Sequence, residues 1–329
     1  MTKARSSIVS VSDTPYYHCT SRCVRRAYLC GEDHYTRKSF EHRREWFIER
    51  LAQLSKSFCI DVCAYAVMSN HCHLVLYVDD EALEALSSDE IIERWCLLYR
   101  GPLVIQKYRR GESLDEFERF SVKKIAEVWR GRLGNLSWYM RCLNEYIARR
   151  ANREDGCTGR FWEGRFKSQA LLDEQALITA MAYVDLNPIR SKIAKDLPSS
   201  DKTSVQQRLR AASKGPRAVS VPIRDFVGTR GNGKHGLPFK LQDYLKLVDW
   251  SGRCVREDKR GALNTSSPSI LRRLGIVIEE WLPTVTMMQA RYEMVMGSPD
   301  KMKAHAESRG GLFYRGYRQA QRFYRQSSA

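Results

Sequence analysis

The clearest hydrophobic pattern in the chain lies between Ile60 and Val78, where two apolar runs, Ile60–Met68 and His71–Val78, flank the pair Ser69-Asn70. Two short apolar runs around a turn-forming pair predict a β-hairpin. Side chains alternate faces along a strand, so His71 and His73 project from one side while Cys72 points the other way. Upstream, Thr14–Cys23 (TPYYHCTSRC) is rich in strand-forming residues. Between the two, Ser39–Ser57 has helical spacing, with Phe40, Trp46, Phe47, Leu51 and Leu54 recurring at threes, fours and sevens. Ser39 is placed to cap that helix, with Glu41 in its first turn. A further helical stretch runs from Glu81 to about Tyr99.

Strand, helix, strand, strand, helix is the opening of a ferredoxin-like βαββαβ unit, an α+β arrangement with an antiparallel sheet. Residues 101–120 are polar and irregular and read as a loop. From Ser121 to Asn152 the helical pattern returns, broken at Gly131–Gly134. On the second of these helices, about Ser137 to Asn152, Tyr139, Tyr146 and Arg150 share one face. Next comes a glycine-rich basic segment, Gly156 to Lys167, in which Arg160, Arg165 and Lys167 alternate with Phe161, Trp162 and Phe166. Such interleaving suits a surface that grips phosphates and stacks bases. It equally suits a structural loop whose aromatic rings tuck into the core. Glu174–Asp185 reads as a helix ended by Asn187-Pro188. The texture changes at Leu197–Asp201, which divides a first unit, 1–196, from a basic, mainly helical region, 197–329. In that region 211–240 is loop-like, and its GNGKHG stretch lacks the Gly-Lys-Ser/Thr ending of a phosphate loop. Helical segments return at 241–249, 269–281 and 287–296. Residues 301–329 carry seven Lys or Arg and one acid, Glu307, among five Phe and Tyr rings, as a helix lying on nucleic acid or docked on its own protein would.

Charge narrows the choice of partner. Fifty-five Lys and Arg against 38 Asp and Glu leave a net +17, which points to a polyanion, most often nucleic acid. A basic membrane-surface protein would need an amphipathic basic helix with a clean apolar face, and none stands out. No apolar run reaches the roughly 18 residues that span a bilayer, and MTKARSSIVS lacks the apolar core of an export signal. The ten cysteines form no paired framework. Cys19/Cys23 and Cys59/Cys63 have zinc half-site spacing, yet three of the four sit in strand-like runs, so buried thiols in a reducing, cytoplasmic compartment is the reading adopted. Two imidazoles about 7 Å apart on one strand face can converge on a cation, or simply hydrogen-bond within a half-polar sheet.

The His-hydrophobic-His hairpin, the Tyr-bearing helix, GRFWEGRFKSQALLDEQAL and AYVDLNPIR occur in that order. Together they resemble the single-tyrosine HUH transposases, in particular proteins related to the REP-associated tyrosine transposases. The resemblance covers about Thr14 to Lys195. It implies a ferredoxin-like domain that cuts and rejoins single-stranded DNA beside hairpins through a 5′-phosphotyrosine intermediate, in DNA transposition and recombination. It further implies a divalent metal, Mg²⁺ or Mn²⁺, held by His71 and His73, and a family habit of working as homodimers. Two imidazoles favour Mn²⁺ by softness.

On this resemblance Tyr146 is the candidate nucleophile, with Tyr139 on the same face. Aligning on Asn152 and GRFWEGRF puts Ile147 in the nucleophile's place, and Tyr146 one residue earlier, about 100° round the helix. Where some members carry a Gln metal ligand, this chain has Arg150, which cannot ligate, so Asn152 or water is the candidate third ligand. Arg22, Arg25, Arg26, Arg149, Arg150, Arg153, Arg160, Arg165 and Lys167 are candidate DNA contacts, and for several of them a solvated helix face is the competing reading. A non-catalytic hairpin-binding protein derived from a transposase is the alternative function. An RNA-recognition module ranks last, because its sheet would carry aromatic rings where this one carries histidines.

Overall fold

Burial on both faces shapes the centre of the molecule. The computed structural model describes residues 13–24, 28–33, 36–213, 220–228, 236–256 and 267–324. Strand β1 is Tyr16–Arg22, helix α1 is Arg43–Ser57, and the hairpin forms from β2 (Ile60–Val67) and β3 (His71–Val78). Met68 N–H donates to the His71 carbonyl across the Ser69-Asn70 turn. Helices α2 (Asp80–Ala85), α3 (Ser88–Cys96), α4 (Leu103–Arg109), α5 (Glu116–Leu133) and α6 (Leu136–Glu154) precede β4 (Lys167–Leu171). Helices α7 (Glu174–Asp185), α8 (Asn187–Arg190), α9 (Ser204–Ala212), α10 (Leu241–Val255), α11 (Ser269–Arg273) and α12 (Ile278–Arg291) follow, then β5 (Val295–Met296), α13 (Pro299–Glu307) and α14 (Tyr317–Phe323). The fold is mixed α/β with a five-stranded sheet in the order β2-β3-β1-β4-β5. The first four strands pair antiparallel and β5 joins β4 in parallel.

Several boundaries differ from the hydrophobic pattern, each for a local reason. Helix α1 starts at Arg43 with His42 at its N-cap, because Ser39 is drawn into a bridge with Glu32. The expected single helix over 81–99 is two, divided at Leu86-Ser87, where Ser87 and Glu90 close a capping box that starts α3. The polar stretch 101–120 contains α4, which buries Ile105, and the start of α5, nucleated by a second capping box between Asp115 and Glu118. The break between α5 and α6 falls at Gly134, where a Cβ would overlap the Leu83 side chain. Residues 269–281 divide at Gly275 (φ +63°) into α11 and α12, and the expected helix over 287–296 ends at Arg291, after which Val295–Met296 pairs with β4.

The two faces of the sheet carry different helices. On β1, His18 and Thr20 share a face with His73, while Cys19 and Ser21 point to the other side with Cys72. The α6 side chains meet that second side: Asn144 donates to the Ser21 hydroxyl, and Tyr139 packs edge-on against Phe58. Helix α1 packs on α6. Arg43, fully buried on α1, donates to Glu154 at 2.7 Å, to Asp155 and to the Tyr28 carbonyl at 2.8 Å, which fixes the end of α6. The histidine side is covered by α7, whose residues from Ala176 to Asp185 are all buried. A helix apolar all round has neighbours all round; α7 packs on β2, β3 and β4 and against α10 and α12. Buried Asp185 ties these layers together, accepting from Ser204 Oγ (2.5 Å), Val205 N–H (3.0 Å) and Tyr244 Oη (2.6 Å). The chain beyond Leu197–Asp201 thus returns to the sheet, with Thr203 bridged to Ala66 and Arg224 paired with Asp61.

Candidate functional site

The histidine pair sits on β3 beside β1, and the register sets its neighbours: Arg22 lies opposite His71, and Thr20 opposite His73. Lys167 on β4 lies opposite Thr20 from the other side, so it shares this face, as does Gln169, opposite His18. The His71 and His73 rings are 4.9 Å apart and nearly perpendicular. His71 Nδ1 donates to Asn70 Oδ1 at 2.6 Å, which makes Nε2 the unprotonated nitrogen. His73 Nδ1 lies 3.1 Å from both His18 Nε2 and Thr20 Oγ1, and its buried Nε2 has no hydrogen-bond partner among the described residues.

Burial holds the imidazoles neutral. It takes His18 to about 4, and it does the same for His71 with help from the Arg22 and Arg190 charges. His73 lies well below the ordinary value, through burial first and then its neighbours His18, His71 and Arg190. Neutral imidazole is the metal-binding form. His71, oriented by Asn70, and His73, with an orphaned buried nitrogen, therefore fit a divalent cation as two donors. No set of three or more His, Cys, Asp or Glu side chains suited to a metal occurs among the described residues.

A tyrosine completes the cluster, and it is Tyr183 of α7. Its ring stands edge-on to His18 and His73, with centroids 5.7 and 5.4 Å away. The Arg190 guanidinium lies over this ring at 4.5 Å and donates to the hydroxyl at 3.2 Å. The hydroxyl donates to Gln289 Oε1 at 3.2 Å, and Gln289 Nε2 donates to Thr20 Oγ1 at 2.8 Å. Gln289 belongs to α12, so the region after 196 contributes directly to the cluster. Arg190 is steadied by the Thr286 carbonyl of the same helix.

The other sequence candidates lie elsewhere or at the rim. Tyr146 and Tyr139 are on α6, across the sheet from the histidines. Tyr139 is fully buried, and Tyr146 accepts from Arg150 Nη1 at 2.8 Å in a cavity lined by α1, α6 and the end of α3. Tyr146 and the histidines are therefore not brought together, because α6 packs on the Cys72 side. Asn152 lies eight residues beyond Asn144, about 12 Å along α6, and its amide donates to the Gly159 carbonyl at 2.8 Å. Arg149, Arg150 and Arg153 line the same cavity as Tyr146. In the basic segment, Phe161 and Phe166 are buried and Trp162 donates to the Asn144 carbonyl, so the rings serve the core while Arg160, Arg165 and Lys167 stay exposed. Arg22 is exposed at the rim, 3.4 Å from Glu163. Arg25 and Arg26 lie outside the described residues. Sequence reasoning passed over His18, Thr20, Tyr183, Arg190 and Gln289. The one available signal was that Tyr183 and Arg190 both fall within AYVDLNPIR.

No family model and no curated protein matches the chain. Among solved structures it is similar to a REP-associated tyrosine transposase bound to a REP hairpin, at 11% identity over 72% of this chain and 97% of that one, with a TM-score of 0.37.

Proposed function

We propose that the chain is a metal-assisted DNA strand transferase of the single-tyrosine HUH kind, with Tyr183 as nucleophile. The observation that carries this reading is the grouping of one tyrosine hydroxyl, two neutral histidines and three cations, Arg22, Lys167 and Arg190, on one sheet face. The antiparallel order β4-β1-β3-β2, with α1 and α6 together on the opposite side, supports a ferredoxin-like unit within 1–196. The described residues after 196 then form an extension that packs on it.

His71 and His73 hold the divalent cation, Mg²⁺ or Mn²⁺, which when bound stabilises charge on the phosphate oxygens. Arg22 and Lys167 orient the DNA backbone by charge-assisted hydrogen bonds. Tyr183 attacks phosphorus, the bond to the 3′ oxygen breaks, and the phenolic proton ends, net, on that oxygen. A phenol is a weak nucleophile unless helped, and Arg190, which donates to the Tyr183 oxygen, is placed to orient it toward phosphorus. The 5′-phosphotyrosine link keeps the phosphodiester energy for rejoining.

The test is metal-dependent cleavage of a 5′-labelled oligonucleotide carrying a hairpin and a single-stranded flank. Cleavage to a free 3′-OH, present in Tyr146→Phe and lost in Tyr183→Phe and His73→Ala, supports the reading; full cleavage by Tyr183→Phe overturns it. The burial of His73 (1% exposed) and Tyr183 (4%) favours a second reading, a hairpin-binding protein that does not cut. That reading predicts salt-sensitive hairpin binding with no cleavage under either metal.

A further inference from the structure

On the side of the sheet away from the histidines, a cavity of about 750 Å³ opens between α1, the end of α3 and α6. Four guanidiniums line it, from Arg50, Arg149, Arg150 and Arg153, against one carboxylate, Glu145. Glu145 is already engaged by Arg149 at 2.5 Å. Arg50 is only 8% exposed, and its contacts are to neutral groups: the Cys142 carbonyl at 3.3 Å, Gln53 Oε1 at 3.1 Å and the Tyr146 ring at 4.9 Å. A buried cation held by neutral acceptors is costly unless an anion comes to it. Arg150 is stacked on Trp46 at 4.2 Å and donates to the Tyr146 hydroxyl, so its plane is fixed at the cavity wall. Tyr99 also lines the cavity and is 38% exposed. Flat cations and tyrosine rings around one opening match a group that is both anionic and aromatic.

We propose that this cavity binds an unpaired, phosphate-bearing base, the nucleotide unit of single-stranded nucleic acid, with Arg50, Arg149 and Arg153 on the phosphate and Tyr99 and Tyr146 against the base. Paired bases cannot enter it, because their faces are stacked within the duplex. The site stands independently of the histidine-face chemistry and lies across the sheet from it. It gives the strand a second hold, and it accounts for the cluster of Tyr146 and arginines on a helix that does not reach the histidines.

The experiment uses the full chain and a single-stranded oligothymidylate containing 5-iododeoxyuridine. Its affinity is measured by fluorescence anisotropy at physiological ionic strength, and the photo-crosslinked peptides are identified by mass spectrometry. The expected result is crosslinking at Tyr99 or Tyr146, retained in His71→Ala, with binding about tenfold weaker in the double variant Arg149→Ala/Arg153→Ala. Both arginines are exposed, so this variant keeps the fold, and Tyr99→Ala removes the stacking ring as a second check. Thymidine monophosphate added as competitor separates the two sources of the same chemistry. Displacement at equal molar concentration assigns the cavity to free nucleotide; displacement only at large excess assigns it to the strand. Crosslinks confined to peptides of the histidine face, an unchanged affinity in the double arginine variant, or equal binding of the matching duplex would each overturn the proposal.

Discussion

His73 is buried beside two other imidazoles, with hydrogen-bond contacts at one ring nitrogen and, among the described residues, none at the other. An orphaned polar atom in a core is destabilising by about 1–3 kcal/mol; on the proposed function, a cation bound jointly with His71 would be the partner that offsets this cost. The orientation of His71 rests on Asn70, the turn residue before it. Asn70→Ala is expected to weaken Mn²⁺ binding by roughly 10- to 100-fold, as loss of outer-shell partners does, while leaving the fold intact; titration calorimetry on the two proteins checks this. Periodicity made His71 and His73 legible, because alternation alone puts them on one face. His18 was not legible, since a single histidine in a strand carries no sign of what crosses from the next strand. Tyr146 is the candidate on the resemblance, one residue off the aligned register, and spacing adds only that it shares a helix face with Tyr139 and Arg150. Spacing defines a helix face, and it is silent on which side of a sheet that face will pack.

At the scale of elements, the hairpin and α7 follow directly from the hydrophobic pattern, with α7 at the expected Glu174–Asp185. Where the pattern failed, local chemistry or tertiary pairing had decided. The Ser87/Glu90 and Asp115/Glu118 capping boxes start helices inside stretches that read as continuous helix or as loop. Strand β5 is two residues long and exists only because β4 offers it an edge. Tyr183 stayed hidden because α7 is apolar on every side, so no residue on it announces the face that meets the histidines. The layer that holds α7 in place depends on the donors gathered around Asp185. Tyr244→Phe removes one of them from a carboxylate that burial makes costly to ionise. We expect a loss of about 1–3 kcal/mol, read as a lower midpoint in urea with an unchanged slope.

For the whole molecule, the excess of 55 basic over 38 acidic side chains is expressed on both sides of the sheet, as the Arg22/Lys167/Arg190 rim and as the arginine-lined cavity. The cysteines follow the expectation of burial without pairing. All ten are free, seven are buried, and Cys157 alone is exposed. Brief alkylation of the native protein should therefore label Cys157 first and Cys96 and Cys254 more slowly. The seven buried thiols should react only after denaturation; early labelling of Cys72 or Cys63, both fully buried, would contradict the packing described. The region after 196 contributes to the site as well as to the surface, since Gln289 joins Tyr183 to Thr20.

In the proposed reaction the attacking hydroxyl belongs to α7. That assignment is tested most directly by incubating the full chain with Mn²⁺ and a hairpin oligonucleotide, digesting the product, and identifying the tyrosine that carries the nucleotide by mass spectrometry. A 5′-phosphonucleotide on Tyr183, and no adduct in Tyr183→Phe, is the expected result. An adduct on Tyr146, or on any residue of the Cys72 side, would contradict it.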